Sequence, residues 1–68
     1  MTLSVLRRKA GLSQSELAKI LGVERSTVAK WETGAALPRF PILKRLATVL
    51  ECSVDEVLDG IEKSREAV

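Results

Sequence analysis

Residues 22–34 read GVERSTVAKWETG, with a turn glycine at each end, Gly22 and Gly34. Placed on a wheel at about 100° per residue, Val28 and Trp31 point one way. Ser26, Ala29, Lys30 and Thr33 point the other, and Arg25 flanks them at the N-terminal end. One side anchors a short helix. The opposite side holds no acid and no bulky apolar group, only small, polar and basic ones. The wheel position of Trp31 favours the core over base stacking.

The preceding residues supply a partner helix. Ser13-Gln14-Ser15-Glu16 is a capping box, in which Ser13 caps and Glu16 reaches back. Leu17, Ala18 and Leu21 follow at helical spacing, and Gly22 stops the helix by taking a left-handed conformation cheaply. Gly22, Val23 and Glu24 form a three-residue turn, which makes the two helices cross steeply instead of lying antiparallel. Ala18 is small where the helices cross, and Val23 and Val28 plug the angle. The helix over 25–33 is then free to enter the major groove of DNA, about 12 Å wide. Lys30 and Arg25 can donate to guanine O6 and N7. Ser26 and Thr33 can bond bases or phosphates, and Ala29 can meet a thymine methyl.

The remaining segments complete an all-α domain. Leu3, Leu6 and Ala10 predict a first helix, ended by Gly11. Pro41 suits the first turn of a fourth helix, with Phe40, Leu43, Leu46, Ala47 and Leu50 toward the core. Ser53-Val54-Asp55-Glu56 is a second capping box, and Val54, Val57 and Leu58 supply the apolar side of a fifth helix ended by Asp59-Gly60. Residues 61–68 read as a short, polar, frayed tail, so the domain is expected over 1–60. No stretch of strict alternation suggests a strand.

The 68 residues suffice for one domain with a marginal core. Aromatic content is 3%, so the core must be aliphatic around its two rings, Trp31 and Phe40. No membrane span or signal peptide is readable, and the expected location is cytoplasmic. The single Cys52 can form neither an internal disulfide nor a metal cluster and reads as packing. Net charge is only +2, but it is unevenly placed. Residues 1–45 carry nine basic and three acidic groups, net +6. Residues 46–68 carry two basic and six acidic groups, net −4. A basic majority suits a face that meets a polyanion.

The stretch Gln14–Thr33, QSELAKILGVERSTVAKWET, resembles the helix-turn-helix of the phage repressor/Cro-like (Xre-type) family. Ala18, Gly22 and Val28 fall at its small, turn and plug positions. The similarity extends through WETGAALP and LATVLECSVDEVL, over roughly residues 3–58. It implies a compact five-helix, lambda-repressor-like DNA-binding domain. It places Arg25, Ser26 and Lys30 at base-reading positions and makes Gln14 a phosphate contact that steadies the recognition helix. Arg39 and Lys44 are implied along the DNA backbone, and Arg7 and Glu32 match a pair bridging the first and third helices. Three positions depart from the pattern: Glu24 where Ser or Thr often caps the recognition helix, Arg39 in place of a small cap, and Glu51 in place of a common glycine. Glu51 is therefore expected to carry left-handed strain.

The resulting reading is a sequence-specific transcriptional regulator, a repressor, bound to double-stranded DNA. One helix reads few base pairs, so a homodimer on a two-fold symmetric operator is expected, with Leu37, Val57 and Ile61 as interface candidates. No cofactor, metal, membrane partner or catalysis is expected: the chain has no histidine and no tyrosine. The rival is a protein-interaction module, such as an antitoxin-like partner. It predicts indifference at Arg25 and Lys30 and sensitivity at Leu37, Ile20 or Ile61.

Overall fold

Caps and apolar spacing divide the chain into five helices, with no strand among the described residues. The computed structural model describes residues 1–66: α1 (Leu3–Lys9), α2 (Gln14–Leu21), α3 (Arg25–Thr33), α4 (Phe40–Val49) and α5 (Val54–Glu66). Both capping boxes form. The Ser13 hydroxyl accepts from the Glu16 N–H at 3.0 Å, and the Glu16 carboxylate accepts from the Ser13 N–H at 2.8 Å. Ser53 and Glu56 repeat the exchange at 3.0 Å each. Each box satisfies two backbone N–H groups near a helix start that lack helical partners.

The core gathers residues from all five helices: Leu3, Leu17, Ala18, Leu21, Val28, Trp31, Leu43, Leu46, Ala47, Leu50, Val57 and Ile61. Ala18 is buried where α2 and α3 meet, and the Val23 N–H donates back to the Ala18 carbonyl at 3.0 Å. Gly22, at φ 72°, makes the turn between them. Gly34 ends α3 at φ 80°, and a Cβ there would also collide with Arg65. The residue is fixed twice over, by its backbone conformation and by the approach of α5. Glu51 does adopt φ 54°, the left-handed strain its position foretold.

Three expectations fail, each for a packing reason. Phe40 is not a core ring: it is 64% exposed at the first turn of α4, with the Lys44 ammonium 5.9 Å from its ring centroid. Pro41 and Phe40 open the helix outside the core, which takes Leu43 and Leu46 instead. Gly60 does not end α5. The helix continues to Glu66, and Leu58 faces outward. Gly60 lies where α5 touches the start of α1, and a Cβ there would come within 3.0 Å of Leu6 Cδ1 and 3.2 Å of the Met1 carbonyl oxygen. It therefore allows close helix approach. Finally, residues 61–66 are no frayed tail. Ile61 is 1% exposed, and Ser64 is buried. The Ser64 hydroxyl donates to the Gly60 carbonyl at 2.8 Å and accepts from the Leu3 N–H at 3.0 Å. It thus satisfies a first-turn N–H of α1 from the far end of the sequence. Of the expected tail, residues 67–68 lie outside the described residues.

Candidate nucleic-acid interface

The turn and the small Ala18 let α3 cross α2, and the burial of Val28 and Trp31 determines which side of α3 faces out. Arg25, Ser26, Lys30 and Thr33 are exposed on that side, and Ala29 is half-buried among them. Local bonds occupy two of the hydroxyls. Thr33 donates to the Lys30 carbonyl at 3.2 Å, and Ser26 donates weakly to Glu24 at 3.5 Å. Both oxygens can still accept. Glu24 forms no side-chain cap on α3, and Arg39 forms none on α4. The first N–H groups of both helices therefore lack a side-chain cap.

A polar network lies beneath this face. Arg7 Nε donates to Glu32 Oε2 at 2.6 Å, and a second guanidinium nitrogen, NH2, reaches Oε1 at 3.2 Å. The side chains are only 9% and 7% exposed. The third Arg7 nitrogen, NH1, donates to the Leu12 carbonyl at 2.8 Å. Gln14 Nε2 donates to Glu32 Oε1 at 3.0 Å, and Gln14 Oε1 accepts from Arg25 NH1 at 3.2 Å. Four residues on α1, α2 and α3 thus form one connected chain of bonds. A buried charge pair is costly unless its lone pairs and protons are satisfied. Among the described residues, no buried side-chain nitrogen or oxygen lacks a partner.

The structure brings Gln14 and Arg25 together, while Arg39 occupies the N-cap position of α4 and Lys44 lies on it, both exposed. Leu37 is 60% exposed in the loop before α4. Val57 and Ile61 cannot form an interface between copies as the fold stands, because α5 turns both into the core. Arg45 was not legible as a functional residue. Its guanidinium donates to the Leu21 and Ile20 carbonyls at 3.1 and 2.9 Å, bracing the C-terminal end of α2 from α4. The only sequence signal was a basic residue on a helix adjacent to a helix end.

Other chemistries find little material here. Partial burial pushes the Cys52 thiol above its ordinary range, with Glu56 nearby adding to the effect. That is the reverse of what activates a cysteine. No group of three or more His, Cys, Asp or Glu among the described residues could hold a metal ion. No described helix is long and apolar enough to cross a membrane.

A family model described as helix-turn-helix matches residues 3–57. The chain is similar to the HTH-type transcriptional activator BcrR of Enterococcus faecalis, 37% identical over 60 residues, which is 88% of this chain and 29% of that protein. It is also similar to the HTH-type transcriptional regulator AnsR of Bacillus subtilis, 36% identical over 64 residues, 94% of this chain and 54% of that one. A third relative is the SPbeta prophage-derived uncharacterized HTH-type transcriptional regulator YonR of Bacillus subtilis, 37% identical over 54 residues, 79% of this chain and 50% of that one. The chain therefore spans about half or less of the length of these relatives. No solved structure matches it. With α2, the Gly22 turn and α3 in place and the match running over residues 3–57, the chain belongs to the helix-turn-helix family of the phage repressor/Cro (Xre) type.

Proposed function

We propose that this chain is the DNA-reading part of a transcription regulator, non-catalytic and cytoplasmic, that inserts α3 into the major groove. The observation that carries this reading is the outward side of α3, where Arg25, Ser26, Lys30 and Thr33 are exposed, with the Glu24 carboxylate only at its edge against Ser26. Arg25, Ser26, Ala29 and Lys30 address base edges. Gln14, Thr33, Arg39 and Lys44 address phosphates, helped by the N–H groups at the starts of α3 and α4. The relatives, a transcriptional activator and two transcriptional regulators by name, support the same role. Repression is the proposed outcome, since a protein seated in the major groove over a promoter blocks access to it.

The working unit is proposed to be two copies on a two-fold symmetric site, because one recognition helix reads too few base pairs. With Val57 and Ile61 buried, Leu37 is the remaining interface candidate. So small a contact favours pairing on DNA over pairing in free solution. Titration of a selected duplex at rising salt tests the phosphate contacts. Affinity should fall with a log–log slope of about −0.9 per neutralised phosphate, and Arg39→Ala should reduce that slope by about 1. A flat salt response would overturn the reading.

A further inference from the structure

We propose that Glu24 is a specificity-determining residue: from the leading end of α3 its carboxylate accepts the exocyclic amino group of a cytosine in the major groove. The proposal rests on the DNA-reading function above. Glu24 stands at the N-cap of α3 in an extended conformation, φ −78° and ψ 151°. Its carbonyl accepts from the Thr27 and Val28 N–H groups at 3.0 and 3.4 Å, yet its side chain makes no cap bond. Ser, Thr, Asp and Asn cap because a short side chain brings an oxygen back to the first N–H groups. Glutamate is longer. Here its carboxylate lies beside Ser26 instead, whose hydroxyl donates weakly to Oε2 at 3.5 Å. The residue is exposed, and among the described residues it joins no ion pair. A negative charge is thus held at the edge of the side that reads bases.

An ionised carboxylate only accepts, and most of what the major groove shows it is repulsive. Guanine presents the acceptors N7 and O6, thymine presents O4 and a methyl, and adenine sets N7 beside its amino group. Cytosine alone presents an amino donor, N4, with no acceptor of its own. A carboxylate brought into the groove loses water and meets phosphates of like charge, and leaving it unpaired there is costly. Only a cytosine placed against it offsets that cost. Glu24 therefore discriminates chiefly by rejecting the other base edges. Its neighbour sets the register. Consecutive Cα atoms are about 3.8 Å apart, close to the rise of about 3.4 Å between base pairs. The cytosine is expected at the base pair next to the one that Arg25→Ala relaxes. A glutamate kept only for the dipole of α3 would stabilise the helix and leave base preference alone.

Base-pair-resolved affinities separate these roles. The selected duplex and its single-base-pair variants are titrated with wild type, Glu24→Gln and Glu24→Ser. One duplex carries a cytosine analogue that lacks the exocyclic amino group. Wild type should bind the variants at that pair, the analogue included, about 5- to 100-fold less tightly. Glu24→Gln keeps the shape and can turn either end of its amide to the groove, so most of that discrimination should vanish. Non-cognate duplexes should bind Glu24→Gln more tightly than wild type, a gain that shrinks as salt screens charge. Glu24→Ser should relax the same pair while raising the melting temperature, because serine can supply the missing cap. The base pair read by Lys30 should keep its preference in both variants.

Tighter binding of Glu24→Gln to every duplex with an unchanged base profile would overturn the proposal and leave Glu24 only a repeller of phosphates. Wild type indifferent to the missing amino group would overturn it as well. So would variants that change the melting temperature alone, which would make Glu24 a partner of the helix dipole. If wild type selects no duplex, DNA reading itself fails and this role with it. If it selects a duplex with no cytosine beside the Arg25 pair, DNA reading stands and only the role of Glu24 fails.

Discussion

The helix-turn-helix, Ser13 to Gly34, and the seam between α1 and α5 are built by different rules. In the first, the shape comes from near neighbours. Ser13 and Glu16 cap each other, Gly22 turns the chain, and Val23 bonds back to Ala18 five residues earlier. In the seam, the Leu3 N–H is satisfied by Ser64, 61 positions away, and Gly60 gives room to Met1 and Leu6. The helix pair α2–α3 is thus locally encoded, while its support depends on contacts between the two ends of the chain. Trp31 and Gly34 link the regions, one through the common core and the other under Arg65.

Removing the end of α5 should have the largest effect. A chain stopped after Gly60 should lose cooperative thermal unfolding followed by circular dichroism, because it loses Ile61 and Ser64 together. Truncating a buried residue like Ile61 to Ala alone costs about 2–5 kcal/mol, within a total of about 5–15 kcal/mol for a domain. A melting temperature matching that of the full chain would show the seam to be dispensable. Next in size, Trp31→Ala should destabilise by about 3–5 kcal/mol in a denaturant titration. Unchanged stability with lost DNA binding would make Trp31 a contact residue instead.

Ser64→Ala removes a single atom from the seam. It strands the buried Leu3 N–H, at a cost of about 1–3 kcal/mol. A neutral result would mean that this N–H finds another partner. The smallest effect belongs to the local cap. The Ser13 N–H, and then its hydroxyl, hold the Glu16 carboxyl below its ordinary value of 4.5. A depressed folded-state pKa gives stability that is present above the ordinary value and lost as pH falls through the lowered one. Glu16→Gln should therefore show a shallower acid dependence of melting than wild type. Identical acid limbs would remove the cap's charge from the account.

This division explains what the sequence disclosed. α2, its cap, the Gly22 turn and the outward side of α3 were legible because each signal lies within a few residues of what it controls. Phe40 was misplaced because helical spacing beside Leu43 and Leu46 does not show where a core ends. Asp59-Gly60 carries the composition of a stop signal, yet Gly60 serves by lacking a Cβ against α1. The continuing helical spacing of Val57, Ile61 and Ser64 was the available clue. The pairing of Arg7 with Glu32 was implied by family resemblance. So was the steadying of α3 by Gln14; its particular partner, Arg25, was not, since that depends on which way one amide turns.

Selection of bound duplexes from a random pool, followed by sequencing, tests the central claim most directly, with wild type, Arg25→Ala and Lys30→Ala run side by side. The account predicts a defined motif with inverted-repeat symmetry for wild type. Each variant should relax its own base pair by about 1–3 kcal/mol in both half-sites. No enrichment by wild type, or the same motif at undiminished preference from both variants, would contradict the claim that the outward side of α3 reads DNA.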